Sequence, residues 1–214
     1  MRVWPLQDLE GEESDMCVNH PVFSRMYIWG QEYLERAVGD VRTLQNERAY
    51  GRTLIVGAGS GLDVAALGVQ VTELVLLEPD PLLCTYLRKE YPDTRLVPSS
   101  AEHMELEDQT FDTVITSLVL CSVFDIAQVL KEIYRVLKPG GQYLFMEHVK
   151  HDAPLAGMIQ TSLTPLWKQI AGNCRLNRDI KSELNRSPLT LLRYELAKPN
   201  YVIPIVTGQA LRQT

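Results

Sequence analysis

The chain predicts an α/β fold: a seven-stranded, mostly parallel sheet with helices on both faces and an antiparallel hairpin at its C-terminal edge. Three observations predict it. Short apolar runs alternate with helical patterns from residue 51 to residue 147. The first run, Leu54-Ile55-Val56, empties into a glycine-rich turn, Gly57-Ala58-Gly59-Ser60-Gly61. Two further strand-like runs near the C-terminus are joined by Lys198-Pro199-Asn200. Strands linked through helices pair in parallel and are covered on both faces, so their runs are continuously apolar.

The elements follow in order. Residues 1–16 are polar and acidic, ending in Glu10-Gly11-Glu12-Glu13-Ser14-Asp15, and read as a solvated arm. A helical pattern runs from Asn19 to about Val38, with Phe23, Met26, Tyr27, Trp29 and Leu34 for an apolar face. It precedes the first strand and could form a lid. The first strand spans about 53–57 and a helix about 61–68. Strand two, Glu73 to Leu77, ends at Glu78-Pro79-Asp80; a helix then runs from Pro81 to about Tyr91, with proline in its first turn. Strand three is about 94–97 and strand four Phe111 to Ser117. Asp125 caps a helix that reaches Leu137 and stops at Lys138-Pro139-Gly140-Gly141. Strand five is Gln142 to Glu147. Helices over Pro154–Ile170 and Arg178–Asn185 precede the hairpin strands, Leu189–Leu196 and Tyr201–Thr207. The whole, 1–214, reads as one domain: arm and lid to residue 50, ligand-binding core over 51–150, and substrate-side helices with the hairpin over 151–214.

Composition sets outer limits. A chain of 214 residues with 45% apolar content can bury one full core. The formal charge of -6 argues against non-specific nucleic-acid binding. No apolar run has the length of a membrane span, and Met1-Arg2-Val3-Trp4-Pro5 lacks the apolar core of a signal peptide. Cys17, Cys84, Cys121 and Cys174 are scattered without C-x-x-C spacing. That pattern predicts reduced thiols in a cytoplasmic protein, and no group of His, Cys, Asp and Glu has the spacing of a metal site.

In an open α/β sheet, ligands bind at the carboxyl ends of the strands. The first strand ends in Gly57-x-Gly59-x-Gly61, tighter than the G-x-G-x-x-G of dinucleotide sites, whose third glycine falls here on Leu62. The tighter turn suits the aminopropyl chain and ribose of S-adenosylmethionine (SAM) instead of a pyrophosphate. Glycines there let the backbone turn and a ligand lie against it, and the following helix start offers unpaired N–H groups. Gly57, Ala58, Gly59 and Gly61 are therefore candidate cofactor residues. Glu78, with Pro79 behind it, ends strand two and can accept hydrogen bonds from both ribose hydroxyls. Ser100, Ala101 and Glu102 follow strand three, where short side chains leave room for adenine. Ser117 and Leu118 end strand four, near the expected sulfonium, and Tyr27 of the lid segment could close over the methionine end. Cys121 reads as a buried thiol, because no partner base is placed by spacing. His148 ends strand five: it is either a base for the acceptor or a histidine that bonds the backbone.

With these residues in place, the chain resembles the class I SAM-dependent methyltransferases of the ubiquinone/menaquinone-biosynthesis type, which share a Rossmann-like sheet. The resemblance covers roughly residues 20–150. It rests on Val56 to Gly61, Glu78-Pro79-Asp80, Ala101-Glu102, Phe111-Asp112-Thr113-Val114 and above all Arg135-Val136-Leu137-Lys138-Pro139-Gly140-Gly141. A departure is Ile55, where the family pattern has an acid. Leu118 to Val123, Phe145 to Val149 and Pro165-Leu166-Trp167 are similar to the methyltransferase-like thiol methyltransferases. The resemblance implies SAM as cofactor, S-adenosylhomocysteine as product and a small acceptor. Thiol, amine, hydroxyl and carbon acceptors remain open, with thiol favoured by resemblance. Trp29, Leu155, Met158, Leu166 and Trp167 are candidates for an apolar acceptor pocket. The alternative reading is a protein that binds SAM without consuming it, as a regulatory module or a cyclase.

Overall fold

A computed structural model describes residues 21–200 and 202–214. The expectations for the acidic arm, for the helix start at Asn19 and for the Leu34 side chain lie outside what it describes. The elements are α1 (Pro21–Asn46), β1 (Gly51–Val56), α2 (Leu62–Ala65), β2 (Val71–Leu77), α3 (Pro81–Glu90), β3 (Arg95–Val97), β4 (Phe111–Ser117), α4 (Ile126–Val136), β5 (Leu137–His148), α5 (Pro154–Ile170), α6 (Ile180–Arg186), β6 (Thr190–Lys198) and β7 (Ile205–Leu211).

The seven strands lie in the order β3-β2-β1-β4-β5-β7-β6. The first five pair in parallel, and β7 runs antiparallel between β5 and β6. The expected sheet and its terminal hairpin are both present. Successive residues of a strand face opposite sides. Leu54, Val56 and Val114 therefore pack in one core with Val129, Leu130 and Ile133 of α4. Ile55, Leu76 and Ile115 pack in a second with Leu87 of α3. Strand order reverses between β1 and β4, which opens a crevice at their carboxyl ends.

Local chemistry explains the helix limits. Asp125 accepts a hydrogen bond from the Gln128 N–H (3.0 Å) and starts α4. Its apolar residues recur at 126, 129, 130, 133 and 136, all buried, the spacing of one helical face. Asp80 does the same for α3, accepting from the N–H groups of Leu82 and Leu83.

Several boundaries depart from the sequence expectation; β5, for one, begins at Leu137 instead of Gln142, taking in the Lys138-Pro139-Gly140-Gly141 stretch expected to be a turn. Helix α1 runs eight residues past Val38, through Gly39. Val38, Val41, Gln45 and Asn46 are buried on its inner side, and that packing outweighs one helix-interior glycine. Helix α2 ends at Ala65, because the N–H groups of Ala66 and Leu67 bond three residues back and tighten the turn. Strand β7 begins at Ile205, later than expected: the Asn200 side chain accepts from the Val202 and Ile203 N–H groups and holds that stretch in a turn.

Candidate functional site

A cavity of about 320 Å³ opens at the carboxyl ends of β1, β2 and β4, within the size range of small-ligand sites. Of the predicted residues, Tyr27, Gly57, Gly59, Glu78, Pro79, Ser100, Ala101, Glu102, Ser117 and Leu118 line it. Ala58 and Gly61 do not. Ala58 is buried in the core on the α3 side. The Tyr91 ring covers Gly61, and its hydroxyl donates to the Gly61 carbonyl (3.2 Å).

Gly57 and Gly59 have φ of +65° and +58°, left-handed values that side chains disfavour. A Cβ on Gly57 would meet Val119 Cγ2 at 2.7 Å, and one on Gly59 would meet Tyr27 Cε1 at 2.9 Å. Four N–H groups of the bend itself are already paired. The N–H groups of Gly57 and Ala58 both bond the Leu77 carbonyl, and that of Gly61 bonds Ala58. The Gly59 N–H donates to Glu78 Oε2 (2.8 Å). What the bend presents to a ligand is bare backbone with a carboxylate clamped to it.

That carboxylate is the electrostatic centre of the cavity. Glu78 is buried, and its other oxygen accepts from the Asp80 N–H (2.9 Å). Burial pushes its pKa up to about 7, against the opposing pull of the Asp80 and Gly59 N–H groups. Each carboxylate oxygen can accept two hydrogen bonds, so one position on each is open to a ribose hydroxyl. A Cβ-free bend beside such an acceptor is a fit for the nucleoside of SAM.

Leu118 is held at φ +61°, rare for a residue with a side chain. Its N–H donates to the Met146 carbonyl (2.7 Å), which anchors the turn out of β4. Glu102 accepts from the Phe124 N–H (2.8 Å) and so ties two parts of the wall together. Burial also raises the Tyr27 phenol to about 12, which keeps it neutral and a hydrogen-bond donor.

Sequence reasoning missed a buried network under this floor. Asp63 Oδ1 accepts from Ser117 Oγ (2.7 Å) and Asn46 Nδ2 (2.8 Å), and pairs with Arg42 Nη1 (3.0 Å). The separations in sequence are too large for a local pattern to reveal it. Asp80 and Ser24 are further missed lining residues, joined by a 2.8 Å hydrogen bond from the Ser24 hydroxyl.

The expected acceptor pocket needs correction. Trp29, Leu155, Met158 and Leu166 are exposed, and neither they nor Trp167 lines the cavity. Helix α5 packs inward through Ala156, Gly157 and Gln160 and turns its large apolar residues out. The apolar wall comes from Phe23, Val119, Val123 and Phe124 instead. His148 is also placed elsewhere. It is buried outside the cavity lining, with Nε2 3.0 Å from the Arg175 carbonyl. The loop that follows α5 covers its ring.

A sheet of this order with a glycine bend facing an acid at its switch point is an architecture on which α/β proteins bind nucleotides and nucleosides. Comparison narrows the class. The model of a methyltransferase domain matches residues 54–145. The thiol S-methyltransferase TMT1B of Rattus norvegicus is 30% identical over 168 residues, covering 73% of this chain and 68% of the relative. An S-adenosylmethionine-dependent methyltransferase from Mesorhizobium loti superposes with a TM-score of 0.65 at 16% identity, over 82% of this chain and 98% of that one. The [4+2]-cyclase SpnF gives a TM-score of 0.66 at 14% identity, over 89% and 95%. The chain belongs to the class I SAM-dependent methyltransferases.

Proposed function

We propose that the chain binds SAM across the glycine bend and passes its methyl group to a small apolar thiol. The observation that carries the reading is Gly57 and Gly59, free of side chains, set against the buried Glu78 carboxylate on one cavity wall. Gly57, Gly59, Glu78, Pro79, Ser100, Ala101, Glu102, Ser117 and Leu118 would hold the cofactor, with Tyr27 over the bend. SAM supplies an electrophilic methyl group on a sulfonium with a good leaving group.

The protein's part is then to bind, orient and exclude water. Phe23, Val119, Val123 and Phe124 give the acceptor an apolar wall. Among the described residues, the lining contains no histidine and no lysine. An acceptor that ionises readily by itself needs the least help there. A thiol, with a pKa of about 8.5, meets that condition far better than a hydroxyl. The thiol relatives point the same way. In this reading the cofactor core, the lid segment and the hairpin act as one domain.

Calorimetric titration with S-adenosylhomocysteine tests binding, and mass spectrometry of reactions with matched thiols, amines and phenols tests the acceptor. Methylated thiol with stoichiometric S-adenosylhomocysteine is expected. Binding without turnover of any acceptor would favour a protein that holds SAM unconsumed; no binding would remove the assignment.

A further inference from the structure

Cys121, His148 and Cys174 are 27 and 26 residues apart in sequence, yet the fold brings one ligand atom of each to within 4.8 Å of the others. They come from three segments: the turn after β4, the end of β5 and the loop after α5. Spacing in sequence gave no sign of this group. We propose that these three side chains form a binding site for a zinc-class divalent cation, behind the cavity wall.

The distances match that chemistry. Zinc binds sulfur at about 2.3 Å and nitrogen at about 2.0 Å in tetrahedral geometry. Those bonds place two sulfurs about 3.7 Å apart, and a sulfur about 3.5 Å from a nitrogen. The Cys121 and Cys174 sulfurs are 3.6 Å apart, and the Cys174 sulfur is 3.8 Å from the His148 ring nitrogens. A disulfide requires about 2.05 Å, and both cysteines are free.

The surroundings fit a metal as well. A ligating histidine usually donates its other ring N–H to a backbone carbonyl. His148 Nε2 has the Arg175 carbonyl at 3.0 Å, which leaves Nδ1 as the donor to the cation. Trp167 Nε1 donates to the Cys174 sulfur (3.4 Å), which holds that sulfur facing the other two side chains. Cys121 and His148 are almost fully buried, so a bound ion would be shielded from water on that side. Three protein ligands leave a fourth tetrahedral position for an exogenous donor.

The site has a consequence for the cavity. Ser122 and Asn173, the neighbours of Cys121 and Cys174, both line it, and Asn173 Nδ2 donates to the Ser122 carbonyl (2.6 Å). An ion at the triad would brace that wall. The inference does not depend on the identity of the cofactor.

Cobalt(II) titrated into the reduced, metal-stripped full chain is the test. A single equivalent with a thiolate-to-cobalt charge-transfer band is expected, displaced by zinc and lost in both Cys121→Ser and Cys174→Ser. His148→Ala should weaken binding while keeping part of the band. No band, or an unchanged band in the two serine variants, would overturn the site. Should the variants fail to fold, X-ray absorption at the zinc edge of the loaded wild-type protein decides. Two sulfurs with one imidazole nitrogen in the first shell support the site, and a shell of oxygen and nitrogen alone refutes it.

Discussion

The raised pKa of Glu78 makes ligand affinity depend on pH in a calculable way. The carboxyl moves from 4.5 to about 7 because burial disfavours its charge. With that value, about one tenth of the protein carries the charged form at pH 6 and about nine tenths at pH 8. Ribose hydroxyls donate best to the charged form, so affinity for S-adenosylhomocysteine should rise about tenfold between those pH values. In Glu78→Gln the rise should vanish. Affinity at pH 8 should also fall about tenfold or more, since a hydrogen bond to a charged acceptor contributes about 1.5–3 kcal/mol. Stability moves in the opposite sense. Between pH 4.5 and about 7 the folded state keeps a proton that the unfolded state has released. Stability therefore falls as pH rises through that window, by about 3 kcal/mol at most for this group. Isothermal titration calorimetry at pH 6, 7 and 8, beside denaturant melts of the ligand-free protein, measures both. A flat affinity profile in the wild-type protein, or an identical slope in Glu78→Gln, would refute the reasoning.

Three further outcomes follow from neighbouring geometry. Gly59→Ala puts a Cβ 2.9 Å from Tyr27 at φ +58°, so urea melts should show a loss of about 1–2 kcal/mol, with ligand affinity falling about tenfold or more. Asp63→Ala leaves the buried Arg42 guanidinium with the half-exposed Glu35 carboxylate (3.3 Å) in place of two partners, and chemical denaturation should report a loss of about 3 kcal/mol, the low end for breaking a buried pair. Glu147 is fully buried and raised by that burial to about 7; one oxygen takes three hydrogen bonds and the other has no partner among the described residues. Glu147→Gln should therefore gain up to about 3 kcal/mol at pH 8 and nothing near pH 4, below both pKa values; an equal gain at both would show that charge burial is not the cause.

Much of the fold was written in local patterns. Strand β4 and helix α5 have the limits the sequence predicts, because an apolar run between polar flanks and a proline at the first helical turn act over a few residues. The bend at Gly57 and the carboxylate at Glu78 were legible for the same reason: each is a strand end, and strand ends in a parallel sheet meet at one edge. By itself, then, the sequence determined the parallel sheet, its closing hairpin and the two chief walls of the cavity. Only the tertiary structure decided the rest. It buried Arg42 against Asp63, turned the large apolar residues of α5 to the outside, and carried His148 from the cavity to a pair of cysteines far from each other in the chain. The physical reason is range: periodicity and turn chemistry are set by neighbours, whereas ion pairs, facing directions and ligand clusters depend on which segments the sheet order brings together.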